Sequence, residues 1–164
     1  MKPNHVIDAS VLFGIFDKKN KDNRKVCERY LHTVGYKYDA FITISLLGET
    51  FLAITKDDDV DFRNAAYAYV EVLIKEDKLK IIPIIKEGGN YVEKVSRIHQ
   101  SIDDDDLVHL SNILSGGHTV FVTLDKKLVG EKMKMTRQRI KQECGLNIYH
   151  PNEIIKELNL WLQK

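Results

Sequence analysis

Apolar positions along this chain alternate between two rhythms. Short runs such as Val6-Ile7, Ala40-Phe41-Ile42-Thr43-Ile44 and Val120-Phe121-Val122-Thr123-Leu124 have the length and β-branched content of buried strands. Between them, apolar residues recur at helical spacing, as in Phe62, Ala65, Tyr69, Val72 and Leu73, or in Leu107, Leu110, Ile113 and Leu114. The pattern predicts, in order, a strand over residues 5–9, a helical start over 10–16, a helix over 22–34 and a strand over 40–44. Ser45 is the expected N-cap of the helix that carries Glu49. Aspartates at 57, 58, 59 and 61 open a helix reaching about residue 78, and a strand follows over 79–85. The Gly88-Gly89 pair breaks the chain before a helix over 91–101, and Gly116-Gly117 ends the helix lined by Leu107 and Leu110. A strand over 119–124, a basic helix over 131–143 closed by Gly145, a strand over 147–149 and a helix over 152–162 complete the chain. Strands alternating with helices imply an α/β fold around a largely parallel sheet.

Composition narrows the class without naming a function. A chain of 164 residues with 43% hydrophobic and 30% charged content is expected to form one soluble domain, residues 1–164, with a full core. No apolar run approaches the ~20 residues of a membrane span, and the start of the chain lacks a signal-peptide layout. Cys27 and Cys144 form no CxxC or Cys/His pattern, so they read as reduced thiols of a cytoplasmic protein. The net charge of +1 is silent about partners, but its distribution is not. Residues 126–141 hold seven basic residues against Glu131 alone, a local charge of +6 directly after Asp125. Lys18, Lys19, Lys21, Arg24 and Lys25 form a second cluster after the first strand. Cations flanking central carboxylates suit a polyanionic substrate.

The carboxylates are Asp8, Glu49, Asp106 and Asp125. Asp8 interrupts an apolar run, Glu49 lies within an apolar helical stretch, Asp106 ends an acidic run before an apolar-faced helix, and Asp125 closes a strand. A carboxylate in or beside a core is costly without a positive partner, and no matching set of Lys or Arg lies nearby in sequence. Ligands of open α/β sheets bind beyond the carboxyl ends of strands, where Asp8 and Asp125 are expected to meet. Ser10 and Thr123 each stand two residues from one of these aspartates, on the same face of an extended chain. An all-oxygen donor set suits Mg²⁺ or Mn²⁺ better than zinc, and the chemistry that fits is phosphodiester hydrolysis.

Structural roles compete for some of the same residues. Aspartates before a helix ordinarily cap it and offset its dipole, which accounts for Asp57, Asp58, Asp59 and Asp61 and for part of the run from Asp103 to Asp106. Asp125 alone reads equally well as a turn residue. The basic 126–141 segment reads more readily as a solvated helix face than as an RNA track, and His109 reads as packing or capping.

Four segments, in this order, resemble the PIN domain, the metal-dependent nuclease fold of VapC-type toxins. They are Val6-Ile7-Asp8-Ala9-Ser10-Val11-Leu12, Ile44-Ser45-Leu46-Leu47-Gly48-Glu49, Asp106-Leu107-Val108-His109-Leu110 and Phe121-Val122-Thr123-Leu124-Asp125. The resemblance spans nearly the whole chain. It implies a three-layer α/β/α sandwich with a central, mostly parallel sheet of four to five strands. It also implies an endoribonuclease in which Asp8, Glu49, Asp106 and Asp125 hold one or two Mg²⁺ or Mn²⁺ ions, with Asp104 or Asp103 as an outer ligand. Ser10 and Thr123 match the positions that steady the acids, and cleavage would leave a 5′-phosphate and a 3′-hydroxyl. Lys126, Lys127, Lys132 and Arg137 are the expected RNA contacts, a homodimer is implied, and a small antitoxin protein is a candidate partner. One departure is the region over residues 57–101, which is longer than in the most compact toxins of the family. Two other functions stay open: a non-catalytic RNA-binding or scaffold module on the same fold, and a phosphatase using Asp8 as nucleophile. The second lacks the usual second aspartate, since Ser10 stands there.

Overall fold

The computed structural model describes residues 2–83, 89–98 and 102–162. Five strands, β1 (Asn4–Ile7), β2 (Asp39–Thr43), β3 (Leu79–Ile82), β4 (Val120–Val122) and β5 (Asn147–Tyr149), form one sheet in the order β3-β2-β1-β4-β5. Every pairing is parallel, with Val6 opposite both Phe41 and Phe121, and Phe121 opposite Ile148. The sheet therefore meets the upper end of the expected strand count and is parallel throughout. Parallel strands are covered on both faces, and Val6, Ile7, Ile42, Phe121 and Val122 are accordingly buried.

Helices flank the sheet in two packed groups. One contains α1 (Ala9–Gly14), α2 (Lys21–Leu31), α3 (Ile44–Thr55), α4 (Val60–Lys75) and α9 (Pro151–Leu162). The other contains α5 (Gly89–Ile98), α6 (Asp104–Ser115) and α8 (Lys134–Cys144), while the short α7 (Lys126–Val129) packs beside β5. Close approach of α1 to α2 depends on Gly14. A Cβ there would meet Cys27 Sγ at 2.7 Å and Leu124 Cδ1 at 3.0 Å, so a larger residue would lever α1 away from the end of β4.

Local chemistry corrects three boundaries. Thr43, not Ser45, is the N-cap of α3, its hydroxyl accepting from Leu46 N at 3.2 Å, because β2 turns into the helix without a loop. The basic helix expected over 131–143 begins at Lys134 as α8, after a 3₁₀ turn at Glu131–Met133, and Gly145 closes it in a left-handed conformation at φ 75°; the short α7 before it, capped by Asp125, was not expected. The helix expected to open at 91 opens at Gly89. The predicted strand end at 84–85, Gly88 and Ser101 lie outside the described residues. The aspartates before α4 cap as expected: Asp59 accepts from Phe62 N at 3.0 Å and Asp57 from Asp59 N at 3.0 Å. No helix among the described residues is long and apolar enough to cross a membrane.

Candidate metal centre

Strand order reverses between β1 and β4, since β1 is followed outward by β2 and β4 by β5. Chains leaving the carboxyl ends of β1 and β4 diverge there and leave a crevice, the position where parallel α/β sheets bind ligands. Its volume is about 580 Å³, and its lining includes Asp8, Ser10, Glu49, Asp105, Asp106, His109, Asp125 and Lys126. All four acids expected from the sequence thus face one space.

Asp8 is at the floor. It is the first residue beyond β1, tied to β4 by its N–H donating to Val122 O at 2.9 Å. Its Oδ2 accepts hydrogen bonds from Thr123 Oγ1 at 2.6 Å and from Ser10 Oγ. Thr123 Oγ1 also accepts from Asp125 N at 2.9 Å, and Ser10 Oγ accepts from Leu124 N at 3.1 Å. Two buried or half-buried hydroxyls therefore lock the ends of β1 and β4 together and fix the orientation of the Asp8 carboxylate. Burial raises the Asp8 pKa above the ordinary aspartate value; the two hydroxyls and His109 oppose that rise, and Glu49 adds to it.

Glu49 enters from α3. Its side chain is 49% exposed, so its place in an apolar sequence does not make it a core residue. Leu46, Leu47 and Thr50 around it are buried, whereas Glu49 lines the crevice. His109 Nε2 lies 2.7 Å from Glu49 Oε1, and His109 Nδ1 lies 3.3 Å from Ser45 Oγ, which in turn is 3.0 Å from Thr43 Oγ1. A hydrogen-bonded chain thus runs from the α3 cap through α6 to the carboxylate. The expectation that His109 merely packs or caps missed this link; its one signal was a position one turn after Asp106 in α6.

Asp106 and Asp125 close the other side. Asp106 is half-buried in the first turn of α6, and burial followed by the neighbouring charges of Asp125, Asp8 and Asp103 pushes its pKa up to about 6. Asp125 Oδ1 accepts from Lys127 N at 2.8 Å, which anchors the cap of α7. Among the described residues, Asp8, Asp106 and Asp125 form no ion pair with Lys or Arg. Neither do three carboxylates or imidazoles converge tightly enough to enclose an ion unaided. The donor set fits a hard cation held by one or two carboxylates at a time with water filling the remaining positions, as Mg²⁺ is commonly held.

The other expected residues are distributed unevenly. Asp104 does not line the crevice and Asp105 does, while Asp103 pairs with Lys127 at the rim. Lys126 lines the crevice and Lys132 is exposed on the 3₁₀ turn. Arg137 is turned elsewhere: its Nη1 donates to Ile148 O at 3.0 Å and to Glu153 Oε2 at 3.0 Å, fastening α8 to β5 and α9.

The comparisons with known proteins agree with this architecture. The family model described as PIN domain matches residues 5–130. No curated protein matches the chain. Among solved structures, a chain of FitAcB from Neisseria gonorrhoeae aligns at 11% identity and TM-score 0.62, covering 90% of this chain and 97% of that one. VapBC2 from Rickettsia felis, bound to a DNA fragment from its promoter, aligns at 13% identity and TM-score 0.57, covering 90% and 98%. A toxin-antitoxin complex from Klebsiella pneumoniae aligns at 12% identity and TM-score 0.55, covering 77% and 92%. At such identities the structural likeness speaks for the fold, and the family model spans well over half of the chain: this protein belongs to the PIN domain family, whose fold is that of metal-dependent nucleases.

Proposed function

We propose that this protein is a divalent-metal-dependent endoribonuclease, its residues 1–164 forming one catalytic domain that acts in the cytoplasm. The observation that carries the reading is the meeting of Asp8, Glu49, Asp106 and Asp125 in one crevice with no Lys or Arg paired to Asp8, Asp106 or Asp125 among the described residues. Burial, and after it the charges of Asp125, Asp8 and Asp103, raise the Asp106 pKa, and a bound cation would offset both costs. Mg²⁺ or Mn²⁺ bound there supplies Lewis acidity to a phosphodiester and makes water acidic enough to attack it near neutral pH.

The chain's own residues have separable tasks in this scheme. Asp8, held by Ser10 and Thr123, is the fixed ligand, because its geometry is set by two elements at once. Glu49 is the adjustable one, half-exposed and steered by His109. Asp106 and Asp125 supply charge from the opposite wall, with Asp105 in place of Asp104 as the outer carboxylate. Lys126, and beyond it Lys127 and Lys132, attract the RNA backbone to the rim.

A second copy of the chain fits the exposed apolar stripe on α3. Ile44 and Leu52 are 49% and 62% exposed, and Gly48 between them has nothing within 4 Å of where its Cβ would stand. Such a stripe is an association face, and we assign it to homodimerisation. The toxin-antitoxin complex among the structural relatives supports a small antitoxin as a further partner.

The test is cleavage of a mixed pool of structured and single-stranded RNAs by wild type and Asp8→Asn, with Mg²⁺, with Mn²⁺ and with EDTA. Metal-dependent cleavage that disappears in Asp8→Asn is expected. RNA binding that ignores EDTA, without cleavage, would replace the enzyme by a binding module.

A further inference from the structure

A second cavity, about 520 Å³, opens beside the carboxylate crevice and shares two residues with it, Ser10 and Leu124. Its character is different. Phe13 and Phe16 project from and just beyond α1 and meet Phe62 of α4 edge to face, at centroid separations of 5.8 and 5.5 Å. Phe13 and Phe16 remain part-exposed, whereas Phe62 is buried. Lys18 and Lys19 stand exposed among the lining residues, Lys18 lying 5.0 Å from the Phe62 ring centre while pairing with Asp59 at 3.0 Å. The acids of this cavity are engaged as turn formers: Asp17 Oδ1 accepts from the N–H groups of Lys19 and Asn20, and Asp57 Oδ1 accepts from Asp59 N.

Aromatic rings with cations at the edge have the composition that seats an unpaired nucleotide, since every base has a face to stack and every nucleotide a phosphate. Continuity matters more than composition here. Ser10 and Leu124 line both cavities, so a strand whose scissile phosphate sits over Asp8 would pass these two residues to reach Phe16. The second oxygens of Asp17 and Asp57 have no protein partner among the described residues, so they stand ready to accept from base N–H groups.

We propose that this aromatic cavity is a base-binding subsite for an unpaired ribonucleotide flanking the cleaved bond. The inference rests on the RNA-hydrolase reading for the orientation of the strand. It adds a discriminating contact that the carboxylate crevice, which handles only phosphate, does not provide.

Binding of a fluorescein-labelled single-stranded RNA to the full-length Asp8→Asn protein, with Mg²⁺ present, tests it without cleavage. The RNA is scanned with a single abasic ribonucleotide at each position. One position where loss of the base weakens binding about tenfold is expected, matching the value of one stacked base. Phe16→Leu, which keeps apolar volume but removes the ring, is expected to weaken the intact RNA by a similar factor and to abolish the difference between intact and abasic RNA. Lys19→Ala is expected to lower affinity evenly at all positions. Circular dichroism and thermal melting check that each variant is folded. An abasic scan with no sensitive position overturns the proposal, as does a folded Phe16→Leu that still distinguishes intact from abasic RNA; the cavity would then belong to a protein partner. Wild type that fails to cleave RNA while this binding pattern holds would sink the hydrolase reading and leave the subsite. Cleavage without the pattern would do the reverse.

Discussion

Asp106→Asn should make the metal-free protein more stable. An ordinary aspartate titrates at 3.8, whereas Asp106 in the folded protein is pushed to about 6 by burial and by Asp125, Asp8 and Asp103. A shift of about two units corresponds to roughly 3 kcal/mol at ~1.4 kcal/mol per unit. Partial solvent access trims this figure, and the lost charge gives back ~0.3–1 kcal/mol because Asp106 stands in the first turn of α6, where the helix dipole favours an anion. About 2 kcal/mol of net stabilisation remains at pH 7.5, or roughly 4–8 °C in Tm for a chain of this size.

The pH dependence carries its own sign. Asp106 is raised on folding, so its ionised form costs stability, and that cost is full only above a pH of about 6. Acidification to about pH 5 should roughly halve the advantage of Asp106→Asn, and near pH 3.8 the two proteins should converge on this account. The assay is thermal or urea unfolding of wild type and variant in EDTA across that pH range, repeated with Mn²⁺. Metal should stabilise wild type more than the variant, because binding to the folded state alone raises its stability. A variant no more stable than wild type at pH 7.5 in EDTA, or an advantage that does not shrink with acid, would refute the argument that the carboxylates repel one another across the crevice.

Three shorter predictions follow from the same geometry. Thr123→Val leaves Asp125 N without its acceptor and Asp8 without one of its two donors; it should cost about 1–3 kcal/mol in urea unfolding and reduce cleavage in proportion to lost metal affinity. Arg137→Ala should lower stability by roughly 1–3 kcal/mol and leave RNA affinity unchanged, because its guanidinium is held by Ile148 O and Glu153; an RNA-binding loss without destabilisation would restore it to the substrate track. Leu52→Glu, at an exposed apolar position of α3, should leave folding intact and yield a monomer by analytical ultracentrifugation where wild type is a dimer.

Periodicity revealed every strand and most helices because each is bounded by a change of rhythm or by Gly. It failed where the deciding event was tertiary. The helix expected over 131–143 begins at Lys134 because Glu131–Met133 tightens into a 3₁₀ turn, and α7, four residues long, is too short to show a helical rhythm. The meeting of Asp8 and Asp125 follows from their places at strand ends, which sequence patterning makes visible, whereas Glu49 and Asp106, carried on helices, joined them through the family resemblance. The reason offered for Glu49 was wrong in part: an acid amid apolar neighbours in sequence is half-exposed here at the crevice, while Leu46, Leu47 and Thr50 around it are buried. Partners distant in sequence were invisible in principle. Nothing around residue 109 announces a hydrogen bond to residue 49, and nothing around residue 137 announces one to residue 153.

Sheet topology itself explains why the charge sits unpaired. A parallel sheet buries its strands on both faces, so a carboxylate can remain hydrated only where a strand ends. At most strand ends the chain turns directly into a covering helix. Between β1 and β4 the strand order reverses, and the crevice is the gap at these two strand ends. Asp8 and Asp125 occupy that gap, and Ser10 and Thr123 hold it open at fixed width by bonding across it. Had stability alone governed these positions, Asn or Ser at residues 8 and 106 would serve the same turns and caps without the repulsion. Four carboxylates around one opening held by Ser10 and Thr123, with Lys126 at its edge, fit the proposed site for a dissociable cation and a polyanion.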